Sequence, residues 1–375
     1  MTDILYVLNH RPDNRYIKRF NLFSHVYSQA VVYWNKDQVD SNLDLPIESK
    51  AIHVPANQTN PTKRIPETLL FSRKAALQIE QDAPRCLYVG NLDMLRIAVS
   101  YKKKHPNVKI VYEVADLHRL IVDRQRGPKR MLQTLLVKME KAYMGYVDLL
   151  VVTSLKFIDV YYRSLIPQSK TVYMPNLPEA STFADYVPGR RHEVFTIGYF
   201  GWIRYIRQLE NLLEAVQTLD CRIIIAGSDN SGSEFKERCE SLKNVEYLGP
   251  FEYSRDIVTL YDEVDCVYSV YDAGMFNVRV ALPNKLYESI LARKPIIVAK
   301  NTYLSELVES MGVGISVTHD DVSDIRKGIM QLMDAANYDS CVQSCANNRE
   351  VSLPDDYNEF FLNKMEYLFF NRGGY

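Results

Sequence analysis

No apolar run in this sequence approaches the roughly 18 residues needed to span a membrane, and its start lacks a basic segment followed by an apolar core and a small-residue cleavage site. The expectation is a soluble, cytoplasmic protein, attached at most to the inner face of a membrane. Nor is there a C-x-x-C pair, and Cys341 and Cys345 have no histidine beside them. With Cys86, Cys221, Cys239 and Cys266 they read as reduced, mostly buried thiols rather than disulfides or zinc ligands. Charge of one sign is also missing: 45 basic residues face 46 acidic ones, for a net charge of −1. Nothing pulls the whole surface towards nucleic acid, so any anion must be held locally. The dinucleotide fingerprint G-x-G-x-x-G occurs nowhere, and no fixed-period repeat, low-complexity run or charge block suggests a solenoid or a disordered chain.

What is present is a large α/β pattern. The 375 residues are 47% apolar, enough for two domains with their own cores. Short β-branched runs alternate with helical patterns: DILYVLN, QAVVYWN, AIHVPA, RCLYVGN, KIVYEVAD, LLVVTS and KTVYMPN. Amphipathic stretches such as Ile65 to Gln81 and Lys129 to Tyr146 lie between the later ones. That alternation predicts a parallel sheet covered on both faces. The polar stretch NLPEASTFADYVPGRRHE breaks it. A second series follows: VFTIGYFGW, CRIIIAGS, VEYLGPF, CVYSVY, PIIVAK and GISVT. We expect a first domain over 1–180, a linker over 181–193, a second domain over 194–352, and a helix over 353–375 that returns towards the first domain. Ligands of such sheets bind beyond the carboxyl ends of the strands, so two facing sheets would make one deep cleft.

Two motifs follow strand ends in the second series. In IGYFGWIRYIRQLENLLEA, Gly198 and Gly201 permit a tight turn, a helix start offers free N–H groups, and Arg204 and Arg207 add positive charge. The motif suits a diphosphate, but an ordinary strand-to-helix turn with solvated arginines has the same look. In ALPNKLYESILARKPIIV, Lys285 falls just after Asn284 in a helix's opening turn, where the dipole disfavours a cation. Glu288, three residues on, projects from the same side. The lysine would suit a phosphate, and the carboxylate could accept hydrogen bonds from two neighbouring ribose hydroxyls. The plain alternative is an exposed i,i+3 ion pair, which has no reason to occupy the cation-disfavouring end.

These motifs resemble those of GT-B fold glycosyltransferases, most closely retaining family 4 enzymes of capsule and exopolysaccharide synthesis. The resemblance also takes in PDNRYIKR, VYEVADLHRL, VDLLVVTS and YMPNLPE of the first half, and GVGISV of the second. It implies two Rossmann-like, doubly wound domains facing a central cleft. It implies a hexosyltransferase that takes a nucleotide-sugar donor in the second domain, and a glycan or lipid-linked acceptor in the first. Donor contacts would come from Gly201, Arg204, Arg207, Asn284, Lys285 and Glu288, with base contacts from the backbone near Gly249 and Pro250. Val280 stands where the family often has a sugar-orienting glutamate, and Trp202 where it often has a basic residue. No Asp-x-Asp triplet exists, so a metal-free balance of the leaving diphosphate by positive side chains, with no cofactor, is expected.

Asp93, Asp116 and His118 follow strands of the first series and are the candidates for work near the reacting sugar, each against the alternative of a helix cap or surface turn. In RLIVDRQRGPKRMLQTLLVKMEKAY, Arg119, Arg124, Arg126, Lys129, Arg130, Lys138 and Lys141 outnumber Asp123 and Glu140, seven to two. Arg126, Lys129 and Arg130 would meet an anionic membrane or a lipid-linked acceptor, or else form a solvated helix face. The functional expectation is a retaining glycosyltransferase of cell-surface polysaccharide synthesis. A sugar-nucleotide 2-epimerase of the same fold and a non-catalytic sugar-nucleotide-binding or scaffold protein are the alternatives.

Overall fold

A computed structural model describes residues 2–36, 45–56, 65–123, 125–179, 181–189, 191–228 and 233–370. Its strands are β1 (Ile4–Leu8), β2 (Gln29–Asn35), β3 (Glu48–His53), β4 (Cys86–Gly90), β5 (Lys109–Val114), β6 (Leu149–Val152), β7 (Thr171–Tyr173), β8 (Phe195–Phe200), β9 (Cys221–Ala226), β10 (Val245–Gly249), β11 (Cys266–Ser269), β12 (Ile296–Ala299) and β13 (Gly314–Val317). The helices are α1 (Asn14–Phe23), α2 (Ile65–Asp82), α3 (Leu92–Lys102), α4 (Arg119–Val122), α5 (Pro128–Met144), α6 (Leu155–Phe157), α7 (Ile206–Ala215), α8 (Ser233–Glu240), α9 (Tyr253–Asp262), α10 (Phe276–Val280), α11 (Lys285–Ala292), α12 (Tyr303–Met311), α13 (Val322–Met333), α14 (Ala335–Asn347) and α15 (Asp355–Phe370).

The chain divides into two compact units, Met1–Pro175 with Asp355–Tyr375, and Asn176–Pro354. In the first, seven parallel strands run in the order β3-β2-β1-β4-β5-β6-β7; in the second, six run in the order β10-β9-β8-β11-β12-β13. β4 and β6 are buried at every residue, which is why they read as continuous apolar runs and not as alternations. Each order reverses once, between β1 and β4 and between β8 and β11. Those switch points are where such sheets open a crevice for ligands.

In the first unit α1 and α15 pack on one face. Phe361 meets the Phe23 ring at 5.2 Å and Phe369 stacks on Tyr27 at 4.7 Å, which closes a core that includes Tyr6, Tyr88 and Val151. Residues 181–193, expected as a linker, instead belong to the second unit. Phe183 is buried edge-on against Tyr261 at 5.6 Å, and the His192 backbone N–H donates to buried Asp265 at 2.9 Å. The stretch is polar in sequence, yet its aromatic and hydrogen-bonding groups find fixed partners.

Candidate functional site

Beside the switch point of the second unit three glycines end the adjacent strands β8, β9 and β10. Gly201 follows β8, Gly227 follows β9 and Gly249 closes β10, with Gly201 N–H donating to the Ala226 carbonyl at 2.9 Å and Gly227 N–H to the Gly249 carbonyl at 2.7 Å. A Cβ on Gly227 would overlap the carbonyl oxygen of Gly201, so no other residue allows this approach. The result is a shelf of bare backbone. Gly201 itself adopts φ +117°, and a Cβ there would stand 2.9 Å from Lys285 Nζ. The lysine ammonium therefore rests on the open face of the turn glycine.

Lys285 begins α11, as its sequence position suggests, but the helix is not an exposed amphipathic one. All eight of its residues are buried. Lys285 is only 9% exposed and makes no hydrogen bond or ion pair with any described residue. The Tyr199 ring lies 5.9 Å from its Nζ. The i,i+3 ion pair with Glu288 does not form. Tyr199 also senses Arg204: burial pushes the tyrosine hydroxyl up, Tyr271 adds to that, and Arg204 opposes it. Arg204 itself is exposed, with its guanidinium 5.2 Å from the centroid of the Tyr205 ring. Arg207, in the first turn of α7, is exposed and unpaired among the described residues. No side chain caps that helix start.

Glu288 is 1% exposed and already engaged. Its Oε1 accepts from the Tyr253 hydroxyl and Asn284 Nδ2, each at 2.6 Å, and its Oε2 accepts from the Tyr261 hydroxyl at 3.0 Å. Burial, then the Glu288 charge, push both tyrosine hydroxyls up, which keeps them protonated as donors. A carboxylate has about four acceptor positions. Three are taken, which leaves one position where two ribose hydroxyls were expected. Val280 closes the short α10 and is buried, while Trp202 is exposed.

In the first unit Asn91, at φ +68°, donates from Nδ2 to Asn9 Oδ1 at 2.9 Å across the β1–β4 switch point. Asp93, Asp116 and His118 follow β4 and β5 at this edge and are exposed. Asp93 sits in the first turn of α3, and His118 Nδ1 accepts the Leu120 N–H at 3.2 Å before α4. Both positions have a local structural use. Beneath them lies a cluster that the sequence did not single out. Glu113, 1% exposed, takes Arg19 Nη2 at 3.3 Å, Arg15 Nε at 3.7 Å and the Tyr88 hydroxyl. Burial alone would raise its pKa, but Arg19 and Arg15 bring it below the usual carboxylate value. Of the basic stretch, Arg124 lies outside the described residues.

Residues 194–335 match the model of a family described as Glycosyl transferases group 1. No curated protein matches the chain. Among solved structures, sucrose-phosphate synthase from Thermosynechococcus elongatus is similar at TM-score 0.75 and 12% identity, over 98% of this chain and 99% of that one. HepE from Anabaena, in complex with UDP and glucose, is similar at 0.71 and 14%, over 98% and 100%. A putative UDP-N-acetylglucosamine 2-epimerase from Listeria monocytogenes is similar at 0.63 and 12%, over 98% and 96%. At these identities the likeness establishes the fold, which is GT-B: two Rossmann-like domains, each built on a parallel sheet.

Proposed function

We propose that the chain is a retaining, metal-independent hexosyltransferase that moves a sugar from a nucleotide sugar to a glycan or lipid-linked acceptor, in cell-surface polysaccharide synthesis. The observation that carries this reading is Lys285: a buried ammonium without a counter-charge among the described residues, resting on a glycine shelf beside a topological switch point. Such a cation is costly unless an anion completes it. A nucleoside diphosphate fits, with its phosphates against Lys285 and Arg204, Arg207 at the edge, and one ribose hydroxyl on Glu288. As the glycosidic bond breaks, charge grows on the leaving phosphate and these side chains stabilise it, with no metal in the role. The departing phosphate oxygen takes the acceptor hydroxyl's proton on the same face, which retains configuration.

The test is release of nucleoside diphosphate from a panel of nucleotide sugars that includes UDP-glucose, the donor class suggested by the UDP bound to HepE. We expect slow release from one member, retention at the anomeric carbon by NMR, and stabilisation of the fold by about 2.7 kcal/mol at 100 times the dissociation constant. Sugar isomerisation as the main product would make the chain an epimerase. Binding without turnover under any acceptor would make it a scaffold.

The basic stretch supports cytoplasmic, peripheral attachment. Glu140 is withdrawn from its surface: it is buried and accepts from the hydroxyls of Tyr112, Tyr161 and Tyr162. What remains outside on α5 is basic and apolar, with Lys129, Arg130, Lys138 and Lys141 beside Met131 and Leu135, which are 78% and 55% exposed. No helix among the described residues is long and apolar enough to cross a membrane. Reversing charge at Arg126, Lys129 and Arg130 should weaken binding to anionic vesicles by about 1 kcal/mol per residue at low salt, and by less at high salt. A protein that ignores anionic vesicles at low salt contradicts the attachment.

A further inference from the structure

The first unit holds a cavity that this reading leaves unused. A groove of about 300 Å³ runs between α2 and α3, floored by Leu69, Ala76, Ile97 and Tyr101. Arg73, Arg96 and Lys104 line it too, against one acid, Glu80. That acid is already spoken for, by Lys104 Nζ at 3.2 Å and His105 Nε2 at 3.1 Å. Arg73 has no partner among the described residues, and Arg96 spends one N–H on Ser72 Oγ at 3.3 Å. The groove thus offers unspent guanidinium donors above an apolar floor.

Its place in the fold says what it meets. The connections β3 to β4, β4 to β5 and β5 to β6 all advance the same way along the sheet. Right-handed crossovers then put α2, α3 and α5 on one face, and α3 packs against both α2 and α5. The basic, apolar ridge of α5 therefore shares a face of the sheet with α2, across α3, and on α2 Leu70, Lys74 and Leu77 follow one another at i, i+4 and i+7. Leu70 is 46% and Leu77 66% exposed. Solvated leucines beside lysine and arginine suit the boundary between headgroups and acyl chains.

We propose that the α2–α3 groove is a subsite for the headgroup of an anionic phospholipid, its phosphate held by Arg73 and Arg96 and its first acyl carbons on Leu69 and Ile97. This rests on the attachment read from α5, and it adds a stoichiometric site to a surface that attraction alone would leave diffuse. An inorganic phosphate would have no use for the apolar floor.

The test titrates the full chain with dihexanoyl phosphatidylglycerol below its micelle concentration, followed by amide NMR or calorimetry. Saturable binding at one site is expected, weakened about tenfold by Arg73→Gln, further by Arg73→Gln with Arg96→Gln, and absent for dihexanoyl phosphatidylcholine. Arg73 is exposed and unpaired among the described residues, so its replacement leaves the fold intact. No saturable binding, or binding that Arg73→Gln leaves unchanged, overturns the subsite even if vesicles still bind through α5. Inorganic phosphate competing with the affinity of the lipid overturns the lipid source. Vesicle flotation of the α5 charge-reversal variant, run in parallel, reports separately on the attachment.

Discussion

Lys285→Met is expected to cut turnover ten- to hundredfold or more while the melting temperature holds or rises. The two effects have separate causes. In the free protein the ammonium is buried, unpaired among the described residues and placed at the positive end of α11. Each of these costs free energy, and an unbranched apolar side chain of similar length removes all of them. In the proposed reaction, the same ammonium meets the leaving diphosphate. A charge-assisted hydrogen bond there is worth about 1.5 to 3 kcal/mol, and more if it strengthens as charge develops. Thermal melts and single-turnover rates measured on one preparation decide the matter. Full turnover with lost stability would make Lys285 a structural cation.

Glu288→Ala should behave in the opposite way. Its carboxylate is the common acceptor for Tyr253, Asn284 and Tyr261, and the Tyr261 hydroxyl is fully buried. Truncation strands these donors at about 1 to 3 kcal/mol for a buried one, and leaves a cavity besides. We expect about 3 to 5 kcal/mol in all, or roughly 10 °C in the melting of the second unit. Glu288→Gln keeps the volume and most of the bonding, because a tyrosine hydroxyl can turn to accept from the new amide. That variant should fold, and should weaken nucleotide binding with little change in the rate of the chemical step, since a ribose contact is the same before and during reaction. A Glu288→Ala protein that melts like the parent would remove the carboxylate from the structural role.

The contrast between these neighbours shows which parts of the site sequence could reveal. Lys285 was legible because its oddity is local: a cation at a helix start is out of place whatever surrounds it. Glu288 was legible only in part, for its tyrosine partners lie 35 and 27 residues away and nothing in their own segments marks them. The same holds for Glu113, whose bond to Arg19 spans 94 residues, and for Gly227, whose need for glycine arises from the Gly201 carbonyl on the neighbouring strand. The thirteen strands of the described residues fall within the quoted runs or a few residues of them, and the buried ones do so because a buried parallel strand is a continuous apolar run with turn residues at its ends. The expected linker misled for the converse reason. Its proline and charges read as exposed chain, while Phe183 and His192 have partners supplied by distant parts of the fold.

The central claim, that Lys285 is the counter-charge of a donor diphosphate, is tested most directly by calorimetric titration of the full chain and of Lys285→Met with two ligands. One is the nucleoside diphosphate released in the turnover assay, and the other is its parent nucleoside. The account predicts that the substitution weakens the diphosphate by at least tenfold, leaves the nucleoside unchanged, and flattens the salt dependence that separates the two. Equal loss of both ligands, or loss of neither, would contradict it.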